Sequence, residues 1–289
     1  ATPRRDEAAE GTHMTDIDFT RPEAVIDLDR YPLDRPDAPQ LADLIAAKRA
    51  DLARDQVCEF PGFLTDAARH RAIADAEAAL PRGHANNAER NCYLQRRGDP
   101  ALPEDHPRNM MLTASTRMLA ADLLPDDSPL KTLYYWEATR RMIAAVVGED
   151  ALFVNEDPLQ PVNTLCYQEG DRSAWHFDSV NAFTMTLMLQ APEAGGHFEL
   201  WPNTRSDDDQ RYDQVARVLK GEADAGIRRI AREPGALCLF RGCNSLHRVS
   251  PVEGPRMRIM GVFVYETEPG VVGDPQVNET VYGPRPRAA

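Results

Sequence analysis

Two segments of this 289-residue chain carry side chains able to hold a metal ion. They are Ser173-Ala174-Trp175-His176-Phe177-Asp178 and Ser245-Leu246-His247-Arg248-Val249. Two imidazoles and one carboxylate on one face of an ion leave the opposite positions open, the arrangement that suits Fe(II) chemistry with O₂. On a strand, residues two apart point the same way, so His176 and Asp178 can aim at one ion while Phe177 faces away. A lone His-x-Asp arises often by chance. Its weight here comes from the ensemble, with a second histidine following Pro234-Gly235-Ala236-Leu237-Cys238-Leu239-Phe240 and two arginines beyond it. A guanidinium is the natural bidentate partner of a carboxylate. Alternation places Arg256 and Arg258 on one face, and Arg258 is favoured because it lies deeper in its strand, beside Ile259 and Met260.

The elements that must position these groups change character along the chain. Leu41, Leu44, Ile45 and Leu52 give one apolar helical face over about Gln40 to Asp55. Thr65 is an N-cap for a second helix ending before Pro81, and Ser128-Pro129 starts a third that runs to Gly148. Between them, Gly83 to Pro125 shows no clear period and reads as an irregular lid or wall. Strands are expected at Ala151 to Glu156, Asn163 to Tyr167, Ala174 to Asp178, Ala182 to Gln190, His197 to Trp201, Ile227 to Arg232, Ala236 to Phe240 and Met257 to Glu266. A short helix from Arg211 to Leu219 interrupts them. The expected class is α+β: a double-stranded β-helix, or jelly roll, over 151–289, with a helical N-terminal flank over 14–150. Residues 1–13 look like an expression tag ahead of Met14 and are set aside.

Composition narrows the function classes. With 33 basic and 46 acidic residues the net charge is −13, and no basic stripe stands out, which disfavours nucleic acid. No apolar run approaches the roughly 18–20 residues of a membrane span. Five cysteines without a Cys-x-x-Cys pair fit free thiols in a reducing cytoplasm.

On its motifs the chain resembles the 2-oxoglutarate/Fe(II) dioxygenase superfamily, through His176, Asp178, His247 and Arg258. Trp175-His176-Phe177-Asp178, the run from Gln190 to Glu199 and the run from Ser245 to Val252 make it similar to a bacterial branch. That branch contains free amino-acid hydroxylases and their lysine-halogenase relatives. The likeness spans roughly Asn155 to Pro269 and reaches back more weakly to about Leu102. It implies that His176, Asp178 and His247 hold Fe(II), that Arg258 takes the far carboxylate of 2-oxoglutarate, and that O₂ is consumed with release of succinate and CO₂. Halogenases of the branch carry glycine at the position of Asp178, freeing a place for chloride. An aspartate there implies hydroxylation or another oxidative outcome.

Substrate contacts are less marked. Asn163 could reach the first carboxylate of 2-oxoglutarate or the substrate, although a core hydrogen bond is equally expected. Glu156 and Asp157 are candidates for an ammonium group, Arg108 for a carboxylate, and Trp175 and Trp201 for walls. For each alone a structural role is the default; as a set they suit a small zwitterion. The competing readings are desaturation or cyclisation by the same chemistry, a peptide or protein side-chain hydroxylase, and a non-catalytic cupin-like binding module. A binding module would need no carboxylate-binding arginine at that spacing. Oligomeric state leaves no trace in the sequence.

Overall fold

The computed structural model describes residues 17–179, 183–222 and 226–284. The proposed tag over 1–13 lies outside them. The first half contains α1 (Pro22–Val25), α2 (Pro39–Asp55), β1 (Val57–Phe60), α3 (Asp66–Ala79), β2 (His84–Arg90), β3 (Leu112–Leu119), α4 (Pro129–Tyr135) and α5 (Glu137–Val147). The second half contains β4 (Phe153–Val154), β5 (Val162–Tyr167), β6 (Ser173–His176), β7 (Thr184–Gln190), β8 (Ala194–Gly195) and β9 (Phe198–Trp201). It continues with α6 (Tyr212–Leu219), β10 (Arg228–Ile230), β11 (Leu237–Phe240), β12 (Leu246–Val249), β13 (Val252–Glu253), β14 (Arg258–Phe263), β15 (Tyr265–Glu266) and α7 (Pro275–Tyr282).

Two antiparallel sheets form the jelly roll. The larger has the order β1-β11-β7-β14-β5-β3-β2 and the smaller β10-β9-β12-β6. Helices α2 to α5 cover the outer face of the larger sheet, where Leu41, Leu52, Ile143 and Val147 meet Val162, Cys166, Met185, Leu187 and Leu189. Alternate residues of the same strands, such as Leu165, Tyr167, Thr184 and Thr186, face the space between the sheets. The smaller sheet turns Trp201 and Leu246 outward under α6, into a cluster with Trp175, Phe177 and Val215. Its inner face presents Phe198, Leu200 and His247.

Several expectations need correcting. The flank is not purely helical, because β1, β2 and β3 join the large sheet. Gly83 to Pro125 is therefore irregular only between Arg90 and Leu112. Strand β2 reads His-Ala-Asn-Asn-Ala-Glu-Arg and alternates in burial but not in hydropathy, so apolar periodicity cannot reveal it. The helix expected from Pro129 to Val147 is two helices, broken at Trp136, whose backbone is extended (φ −70°, ψ 121°). Ser128 makes no capping hydrogen bond, whereas Thr65 accepts one from the Ala68 amide at 3.2 Å. Helix α5 does end on Gly148 in the left-handed region. All five cysteines are free, and burial pushes the Cys166 thiol up to about 12. Among the described residues no helix is long and apolar enough to cross a membrane.

Candidate metal centre

His176 closes β6 and His247 lies opposite it in β12. From Ser173 to His176 the β6 strand spends three steps where β12 spends two, from His247 to Val249, so a bulge turns both Ser173 and His176 inward. Asp178 is not on the strand, contrary to the expectation from alternation. It lies in the following turn, where its amide donates to the Gly242 carbonyl at 3.1 Å. Phe177 between them is buried outward and stacks on Tyr93. The loop, not strand pleat, brings the carboxylate round.

The resulting geometry is that of a three-ligand site. Asp178 Oδ1 stands 3.4 Å from His176 Nε2 and 3.5 Å from His247 Nε2. One ligand atom from each residue falls within 4.8 Å of the other two. Each imidazole is held through its other nitrogen: His176 Nδ1 lies 2.8 Å from the Ala174 carbonyl and His247 Nδ1 2.9 Å from that of Ser245. Those contacts fix the tautomer that leaves Nε2 free for an ion. The other carboxylate oxygen, Asp178 Oδ2, accepts a short hydrogen bond from Thr184 on β7. A Cβ at Gly242 would stand 2.0 Å from Asp178 Oδ2 and 3.0 Å from His247 Cε1, so only glycine fits behind the triad. Thr184 and Gly242 carry no motif, and nothing in the sequence singles them out.

The charges agree with that arrangement. Burial works against a charge on Asp178, yet His247 and His176 hold its carboxyl well below the usual carboxylate range. Burial likewise opposes protonation of His176, but Asp178 and the Ala174 carbonyl outweigh it and raise its pKa above the ordinary 6.5. Two imidazoles and a carboxylate are donors of the hardness that Fe(II) favours, with one side left open.

Arg258 enters the space between the sheets from β14, opposite Tyr167 of β5. It is fully buried, with no acidic partner among the described residues. Its Nε donates to the Gly196 carbonyl at 3.1 Å, its terminal nitrogens touch only the Met260 sulfur at 3.6 Å, and it lies 5.3 Å from the centre of the Tyr167 ring. Burial lowers its pKa to about 10. A cation so placed is costly unless an anion joins it. Gly196 (φ 57°) makes room, since a Cβ there would come within 3.2 Å of Arg258 Cδ and 2.8 Å of Pro192 Cγ. Arg256 is exposed and donates to the Pro192 carbonyl. A second interior arginine, Arg232, hydrogen-bonds Thr186 at 2.7 Å and was not singled out by any motif.

The remaining candidates scatter. A cavity of about 230 Å³ reaches His176 and is walled by alternate residues of β2, β3 and β5: Asn86, Ala88 and Arg90, Ala114, Thr116 and Met118, Leu165 and Tyr167. Trp175 lines it too, and there the cavity adjoins a wider surface groove of about 640 Å³ that shares Leu112 and Arg172 to Trp175. Asn163, Glu156, Asp157, Arg108 and Trp201 do not line the cavity. Asp157 is buried in structural work, accepting from Leu159, Gly273 and Asn278. Glu156 stays exposed. The Asn163 amide donates to the Gln160 carbonyl. Arg108 stacks over Tyr93 and Tyr212, and Trp201 packs under α6. Alternation along β2 and β3 would have found the cavity wall, had those strands been visible.

The profile of the family described as Halogenase D matches residues 42–281. No curated protein matches this sequence. Among solved structures, the chain is similar to the non-haem α-ketoglutarate-dependent epimerase SnoN from nogalamycin biosynthesis. Identity is 14%, over 81% of this chain and 91% of that one, with a TM-score of 0.53. The carbocyclase SnoK from the same biosynthesis shares 11% identity over 84% and 93% of the two chains, with a TM-score of 0.53. AviO1 from Streptomyces viridochromogenes shares 18% over 80% and 97%, with a TM-score of 0.52. At such identities the likeness establishes a shared fold.

Proposed function

The chain belongs to the halogenase D family, and we propose that it is an Fe(II)- and 2-oxoglutarate-dependent oxygenase that hydroxylates, rather than halogenates, a free amino acid or similar small polar metabolite. The observation that carries this reading is the Asp178 carboxylate, held within 3.5 Å of both imidazole Nε2 atoms and locked by Thr184. His176, Asp178 and His247 would hold the metal, and Arg258, a buried cation with no acidic partner among the described residues, would take the far carboxylate of 2-oxoglutarate. When bound, iron with 2-oxoglutarate and O₂ supplies an oxidant strong enough for an unactivated C–H, with succinate and CO₂ as by-products.

The protein's own contributions are positional. The Ala174 and Ser245 carbonyls orient the imidazoles, Thr184 fixes the carboxylate, and Gly242 lets the three close up. Tyr167 and Met260 keep water from the Arg258 guanidinium, which strengthens its pairing with an anion. The cavity wall places a C–H of the substrate near the metal face. Asp178 occupies the position that a chloride would need, which is why oxygen transfer is favoured.

The small cavity supports a small-molecule substrate. The adjoining groove favours one second reading, hydroxylation of a side chain on an extended peptide. A cytoplasmic location belongs to the first reading, and the free thiols are consistent with it. The test is succinate formation by Fe(II)-loaded protein with 2-oxoglutarate and O₂ across free amino acids and short peptides, with mass spectrometry of products in chloride. A product gaining one oxygen supports the proposal. Gain of chlorine, or stimulation by peptides alone, overturns it.

A further inference from the structure

Resting on the oxygenase reading above, we infer that Arg90 anchors a carboxylate of the substrate and that the rest of the substrate carries no cationic end. Arg90 closes β2 and lines the cavity that reaches His176. Its Nε is buried without a hydrogen-bond partner. Burial, and then the like charge of Arg96, lower its pKa, and among the described residues no carboxylate pairs with it. The neighbouring arginine of the cavity, Arg172, is already engaged, donating to the Thr113 carbonyl at 3.4 Å and hydroxyl at 2.8 Å. Arg90 is thus a half-buried donor facing a small cavity beside a metal ligand, and an anion is what completes it.

The second half of the inference comes from the rest of the wall. Among the described residues no Asp or Glu lines the cavity, and Ala88, Leu94, Leu112, Ala114, Met118 and Leu165 give it an apolar stretch of wall. An α-ammonium lies beside its own carboxylate, which offsets its charge. A second cation at the far end would be desolvated with no partner, and that is strongly unfavourable. Glu156 and Asp157, the acids that sequence would offer such a cation, do not line the cavity, and the glutamates of the adjoining groove, Glu199 and Glu222, are already paired with Arg248 and Arg217. The substrate class is therefore a carboxylate with an uncharged, mainly aliphatic body.

Calorimetric titration without O₂ tests this, on the metal-free chain and on chain carrying Fe(II) and 2-oxoglutarate, with 2-aminohexanoate, its amide, and lysine as probes. The acid should bind, with the amide and lysine each weaker by about 30-fold or more. Arg90→Gln should weaken the acid by about 30-fold while shifting the amide by less than about threefold, and Arg90→Lys should recover part of the loss. Lysine binding as tightly as 2-aminohexanoate overturns the inference. So does an Arg90→Gln effect equal for acid and amide, or failure of the acid to bind a loaded chain. Failure of the wild type to load Fe(II) and 2-oxoglutarate instead refutes the oxygenase reading, and the metal-free titration still reads the Arg90 contact.

Discussion

Replacing Arg258 by methionine should move two measurements in opposite directions. In the native chain the guanidinium is fully buried, with one hydrogen bond to Gly196 and sulfur contacts at 3.6 Å. Bound 2-oxoglutarate would give it a bidentate, charge-assisted partner. Removing one member of such a buried pair costs about 3–5 kcal/mol. At about 1.4 kcal/mol per tenfold, the Kd for 2-oxoglutarate should rise by roughly a hundred- to a few thousand-fold. Without 2-oxoglutarate the balance reverses. An apolar side chain in place of a buried charge gains about 1–4 kcal/mol, less about 1 kcal/mol for the Gly196 carbonyl left without its donor. The net gain of roughly 0–3 kcal/mol should then leave the ligand-free protein melting no lower than the wild type and up to roughly 6 °C higher. Anaerobic calorimetry with Fe(II) measures the first effect and scanning calorimetry the second. Arg256→Met, at the surface, is the control and should change neither. The reasoning is refuted if Arg258→Met binds 2-oxoglutarate within about threefold of the wild type, or if its ligand-free form melts several degrees lower.

Four further outcomes are expected. His176→Ala and Asp178→Ala should abolish succinate formation while far-ultraviolet circular dichroism stays native, and normal turnover by either would remove these residues from the metal site. Asp178→Gly in chloride asks whether freeing that ligand position yields chlorinated product, read by mass spectrometry. Thr184→Val leaves the carboxylate without its orienting donor and should weaken Fe(II) binding by about 10- to 100-fold in a competitive chelator titration; unchanged affinity would show that the contact is incidental. The fourth concerns pH. The raised His176 pKa favours the protonated imidazole, which cannot bind metal. Iron affinity should therefore be full above that raised value and decline as pH falls through it, starting above 6.5 rather than below. A titration whose midpoint lies below 6.5 would contradict the sign.

Much of this protein is written in local sequence. The His176, Asp178 and His247 ligand types, the strand periodicity of the second half, and the turn glycines at 148 and 196 are properties of neighbouring residues, so sequence by itself determined the class of fold and the class of metal site. Helix α2 was legible because its apolar residues repeat at the helical period. Strands β2 and β3 were not, because apart from Leu112, Met118 and Leu119 at the ends of β3 their residues are polar or small, so no hydropathy contrast marks the alternation. The tertiary structure decided what depends on distant segments meeting. It carried Asp178 into the site by a turn anchored on Gly242, put Thr184 behind it, and buried Arg258 while leaving Arg256 outside. It withdrew Asp157 into hydrogen bonds with α7 and the segment before it, and set Arg90 in the wall of the cavity that reaches His176. Ligand identity is chemistry carried by each residue, whereas the company each charge keeps is set by which strands lie opposite one another.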